Sequence, residues 1–80
     1  MIEYDFSKVR GRIKEKLGSE AKFAEKLDIS SASLSSKFNN RSDFTAKEIS
    51  RATDKDVLDL DIEEIGLYFF TRKLELNSRN

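Results

Sequence analysis

Eighty residues suffice for one domain with a modest core, and 38% hydrophobic against 38% charged residues suits a small helical globule better than a disordered segment. The absence of cysteine and histidine excludes a disulfide framework and a thiolate or imidazole metal site, and removes the commonest general base. Net charge is zero, from 15 basic and 15 acidic residues, which speaks against a general nucleic-acid binder.

Charge is nevertheless uneven along the chain. Residues 1–41 hold nine Lys/Arg against six Asp/Glu and residues 42–80 hold six against nine, so the halves carry +3 and −3. The first half could supply the local positive charge that a DNA footprint needs. The longest apolar run, Leu67 to Phe70, is too short to span a bilayer, and "MIEYDFSK" at the start lacks the basic-then-apolar layout of a signal peptide. A soluble, cytoplasmic protein with no membrane partner is expected.

Phe6, Val9, Ile13 and Leu17 fall on one face of a first helix, which Asp5 can cap and Gly18 can end in a left-handed conformation. Gly11, inside it, costs up to ~1 kcal/mol relative to alanine, and close approach of another backbone would explain it. Ser19 can cap a second helix through Leu27, with Phe23, Ala24 and Leu27 inward. After Asp28-Ile29, Ser30 can cap a third helix to about Phe38, anchored by Leu34 and Phe38 and ended by Asn39-Asn40. "TAKE", Thr45 to Glu48, is a capping box before a fourth helix, and "DIEE", Asp61 to Glu64, has the same logic before a fifth. Between them "DKDVLDLD" reads as a loop that inserts Val57, Leu58 or Leu60 into the core. "LYFFTRKLEL" either extends the fifth helix or forms a strand, which periodicity does not separate. The expected organisation is one all-α domain over residues 1–70 and a short tail over 71–80.

The third helix is unusual. "SSASLSS", Ser30 to Ser36, is rich in serine, a mediocre helix former whose hydroxyl competes for the backbone. Solvent-facing helices usually carry Glu, Lys and Arg, so a contact surface explains the composition better. Two short helices with an abrupt turn, one helix before and two after, is the layout of a helix-turn-helix domain, whose second helix enters a DNA major groove. Small hydroxyl side chains suit close approach to base edges and phosphates. Asn40 and Arg41 lie at the end of that helix, where amide and guanidinium can grip phosphate, and Lys22 and Lys37 could do the same.

"SEAKFAEKLDISSASLSSKFNNR", residues 19–41, resembles the helix-turn-helix of the lambda-repressor-like superfamily. "MIEYDFSKVRGRIKEKLG", "KFNNRSDFT" and "IGLYFF" extend the resemblance over most of the chain to a narrower family. These are the small Cro-like phage proteins of Gram-positive bacteria, which include modulators of repression. The resemblance implies a five-helix fold and places Ser31, Ala32 and Ser36 where relatives touch bases. It places Glu20, Ser30, Lys37, Asn40 and Arg41 along the DNA backbone. Two positions depart from the pattern: Glu20 stands where many relatives have glutamine, and Asp28 where many have glycine.

Two functions are consistent with this reading. One is a Cro-like transcriptional regulator of the lysis–lysogeny switch, which reads double-stranded operator DNA as a homodimer, since one such helix covers about half an operator. The other is an antirepressor that binds the phage repressor protein, with the helix-turn-helix surface or an apolar patch of Tyr68, Phe70, Leu74 and Leu76 as the interface. The six carboxylates between Asp54 and Glu64 lack the layout of a calcium loop and read as solvated surface. Without histidine or cysteine an enzyme is a remote option, and neither a cofactor nor a metal is expected.

Overall fold

The computed structural model describes residues 2–73. Its helices are α1 (Ser7–Lys16), α2 (Glu20–Leu27), α3 (Ser31–Phe38), α4 (Ala46–Ala52) and α5 (Ile65–Phe69), with a 3-10 turn at Ile62–Glu64 leading directly into α5. No strand occurs among the described residues; the one β feature is an isolated antiparallel bridge between Tyr4 and Arg72.

The helix starts are set by side-chain oxygens that satisfy amides which the first turn leaves without partners. Ser19 Oγ accepts from Lys22 N at 3.2 Å and Ser30 Oγ from Ser33 N at 3.0 Å. At α4 the box is reciprocal: Glu48 N donates to Thr45 Oγ1 at 3.0 Å and Thr45 N to Glu48 Oε1 at 2.9 Å. Asp5 acts one residue ahead of the N-cap Phe6, accepting from the amide of Ser7 at 2.9 Å. Three helix ends turn through left-handed residues, Gly18 (φ 88°) and Asn40 (φ 61°), as the sequence predicts, and Asp28 (φ 61°). Asp28 lets α3 begin with only three residues between it and the end of α2.

The core gathers Val9 and Ile13 of α1, Phe23, Ala24 and Leu27 of α2, Leu34 and Phe38 of α3, Ile49 and Ala52 of α4, and Phe69 of α5. Each large side chain so buried contributes on the order of 1.5–3 kcal/mol of transfer free energy. Val57, Leu58 and Leu60 are all buried by the loop between α4 and the 3-10 turn. Arg12 holds that loop by donating to the carbonyls of Leu58 at 2.9 Å and Asp59 at 3.1 Å. Phe6, Phe38, Phe44 and Phe69 form a chain of tilted and edge-on rings with centroids 5.3 to 5.7 Å apart.

One expectation is corrected, and one open alternative is narrowed. A Cβ built on Gly11 would meet nothing within 4 Å, so that glycine does not mark a close backbone approach. The helix at "LYFF" ends at Phe69, and Thr71 to Lys73 turn back along the N-terminal segment. Asp5 N donates to Thr71 O at 2.7 Å and Lys73 N to Glu3 O at 2.9 Å, continuing the pairing past residue 70. Leu74 and Leu76 lie outside the described residues.

Candidate functional site

The sequence names two surfaces, one on α2 and α3 and one around the last aromatic residues. On the first, Ser31 and Ala32 are exposed and Ser36 is half-buried. Lys22 on α2 and Arg41 beyond α3 are exposed as well, and neither forms an ion pair among the described residues. Ser30 is occupied as the cap of α3.

The other three residues of this set are engaged within the fold. Glu20 receives Arg10 Nε at 2.7 Å and Nη2 at 3.4 Å, and the same guanidinium lies over the Phe38 ring at 4.9 Å. Lys37 departs from the expected phosphate contact. Its side chain turns inward from α3, leaving the residue 8% exposed. Its ammonium donates to Asp43 O at 2.9 Å, pairs with Glu48 Oε1 at 3.3 Å and faces the Phe44 ring at 5.9 Å. A buried ammonium group needs such partners, and having them it is unavailable to a ligand. Asn40 departs likewise: its Oδ1 accepts from Tyr4 N at 2.8 Å and its Nδ2 donates to Tyr4 O at 3.1 Å, so the amide is spent on the backbone of the N-terminal segment. With Glu25 and Asp28 also exposed, the α2–α3 face presents as many acids as cations.

At the second surface the structure separates Tyr68 from Phe70. Tyr68 is half-buried and borders a shallow depression beside Gly11, Arg12 and Glu15 of α1. Phe70 is 49% exposed and stands edge-on to Tyr4 at 5.6 Å. This Tyr4–Phe70 corner borders a cleft with Phe44, Ile49 and Asp43, and Phe70, Phe44 and Ile49 also line an apolar groove that continues to Ile62 and Ile65.

Sequence reasoning missed Tyr4, Phe44 and Ile62 as members of this surface. Ile62 is 79% exposed although it lies three residues before Ile65, because the 3-10 turn places it outside the helical face that spacing implies. Among the described residues no group of three or more acidic side chains is placed to hold a metal ion, and no helix is long and apolar enough to cross a membrane.

Residues 2–72 match the family described as Protein of unknown function (DUF739). The chain belongs to the DUF739 family. Among solved structures, this DUF739 chain is similar to the modulator of repression (MOR) of the temperate bacteriophage TP901-1 from Lactococcus lactis, determined in solution. The two share 35% sequence identity and superpose with a TM-score of 0.71, covering 90% of this chain and 95% of that one. The search of curated proteins returns no match.

Proposed function

We propose that this DUF739 protein is a phage modulator of repression, a non-enzymatic antirepressor that binds the phage repressor in the bacterial cytoplasm and changes which promoters it occupies. The similarity to the TP901-1 modulator over 90% of the chain carries this reading. The geometry supports a protein partner over DNA. Lys37 and Asn40 are committed internally, Glu20 brings a carboxylate to the α2–α3 face, and Lys22 and Arg41 are the two exposed cations left from the expected set. Two cations release few counterions, so they supply only a small part of the electrostatic gain on which DNA binding rests. The cleft and groove beside Phe70 offer what a protein interface uses, aromatic anchors at the edge of an apolar surface. Residues 1–70 act as the binding domain on this view, with 71–80 as its tail.

Purified protein is mixed with the repressor encoded by the same phage, and complex formation is read by light scattering coupled to size exclusion. Occupancy of the labelled operator duplex by the repressor is followed by fluorescence anisotropy. A mixed complex and altered operator occupancy are expected. Independent migration with unchanged occupancy refutes the proposal.

The second reading is a Cro-like regulator, with α2, the Asp28–Ser30 turn and α3 acting as a lambda-repressor-like helix-turn-helix on operator DNA. The exposed Ser31 and Ala32, flanked by Lys22 and Arg41, favour it. Enrichment of a two-fold symmetric duplex by the protein alone would select this reading and imply a homodimer.

A further inference from the structure

A residue that only has to close a helix in the left-handed region is best chosen as glycine, which carries no Cβ penalty there. The left-handed residue beyond α3 is Asn40, the second after Phe38, at φ 61°. Backbone bonds alone close this helix end: Asn40 N donates to Lys37 O at 3.1 Å and Arg41 N to Ser36 O at 2.9 Å. The side-chain amide is therefore spare as far as α3 is concerned. It bonds both polar backbone groups of Tyr4, at 2.8 and 3.1 Å, as a neighbouring strand would. The opposite edge of the same segment is held by Thr71 and Lys73 through Asp5 N and Glu3 O. The backbone of Tyr4 is thus fixed from both sides, and its ring is fixed edge-on to the half-exposed Phe70.

We propose that Asn40 is the positioning residue of the aromatic corner at which the partner docks. By clamping Tyr4 it sets the Tyr4 and Phe70 rings before the partner arrives, so less ordering is left to be done on binding. The inference rests on the repressor-binding reading above. Asparagine is required because both functions are used at once: glycine supplies the backbone conformation without the amide, and aspartate supplies the acceptor for Tyr4 N but turns a second acceptor toward Tyr4 O.

The test compares full-length wild type, Asn40→Gly, Asn40→Asp, Phe70→Ala and the double variant Asn40→Gly/Phe70→Ala. Affinity for the repressor of the same phage is measured by calorimetry, amide exchange at Tyr4 by NMR, and helix content by circular dichroism. Asn40→Gly should keep its helix content, lose exchange protection at Tyr4 about ten-fold and bind about ten-fold more weakly, with Asn40→Asp between it and wild type. In the Phe70→Ala background the same substitution should cost less than about two-fold, because it acts through the corner already lost. Wild-type affinity in Asn40→Gly, or an undiminished loss in the Phe70→Ala background, overturns the positioning role alone. A wild-type chain that does not bind the repressor overturns the repressor-binding reading and this inference with it.

Discussion

Replacing Lys37 by methionine keeps an aliphatic stem of similar length and removes the ammonium group from a site that is 8% exposed. Three interactions disappear, the charged hydrogen bond to Asp43 O at 2.9 Å, the ion pair with Glu48 at 3.3 Å and the more distant contact with the Phe44 ring at 5.9 Å. A hydrogen bond involving a charged group contributes roughly 1.5–3 kcal/mol, and removing one member of a fully buried pair costs about 3–5 kcal/mol. The loss here lies near the lower figure, because the side chain of Glu48 retains 15% exposure and still accepts from Thr45 N. About 2 kcal/mol in urea denaturation is expected, or about 10 °C in Tm for a domain of this size. Adding Glu48→Gln should recover about half of it, since glutamine serves the capping box without leaving a carboxylate unpaired. A stability loss below about 0.5 kcal/mol, accompanied by weaker DNA binding with a reduced salt slope, would show that Lys37 works as a surface cation and refute the argument.

The two glycines in and after α1 should respond oppositely. Gly11→Ala should stabilise by up to ~1 kcal/mol because its site is open and helical, whereas Gly18→Ala, forced to φ 88°, should cost about 1–2 kcal/mol; urea midpoints with unchanged slopes check both. Hydrogen bonds from Arg51 hold the Asp56 carboxyl below its ordinary pKa of 3.8, so its contribution is present above that value and is lost as pH falls through the lowered one. Asp56→Asn should flatten the stability profile below about pH 4, read by Tm across pH 2 to 6, and an unchanged acid slope would rule this out. Arg41→Glu should leave repressor affinity within about two-fold, while any operator binding by the protein alone should be lost. A large drop in repressor affinity in calorimetry would move Arg41 into the protein interface.

The local features were legible because they depend on neighbours in the chain. Ser19, Ser30 and Thr45 cap where hydroxyls precede apolar periodicity, and Asp28 and Asn40 turn where short polar side chains tolerate positive φ. What stayed hidden is how polar side chains are spent across the fold. Nothing near Asn40 in sequence announces a partner 36 residues earlier. In the antiparallel bridge between Tyr4 and Arg72, Arg72 falls in "LYFFTRKLEL", whose spacing allowed a strand and could not name its partner. Lys37 offered a usable signal: it lies three residues after Leu34 and beside Phe38, on the flank of the buried stripe, where a long side chain can follow the core and end on internal acceptors.

The charge split between the two halves of the chain is the feature whose meaning folding changes most. Read linearly, the +3 of residues 1–41 invites a DNA footprint. In three dimensions Arg10 pairs with Glu20 and Arg12 with Glu15, within that half. Lys16, Lys26 and Lys37 pair with Asp59, Asp56 and Glu48 of the acidic half, at 3.9, 3.5 and 3.3 Å. The exposed pairs among these contribute little to stability, since solvent and salt screen them. Their larger effect is on the outward field: three acids of the second half lie against cations of the first, so the linear +3 overstates the positive charge that the first half presents. A serine-rich helix framed by two free cations and two exposed acids is then poorly suited to capturing a polyanion, which leaves close packing against another protein as the better fit for the molecule. Such packing places few demands on long-range charge and many on shape, which the rings of Tyr4 and Phe70, held in place by Asn40, supply on the neighbouring face.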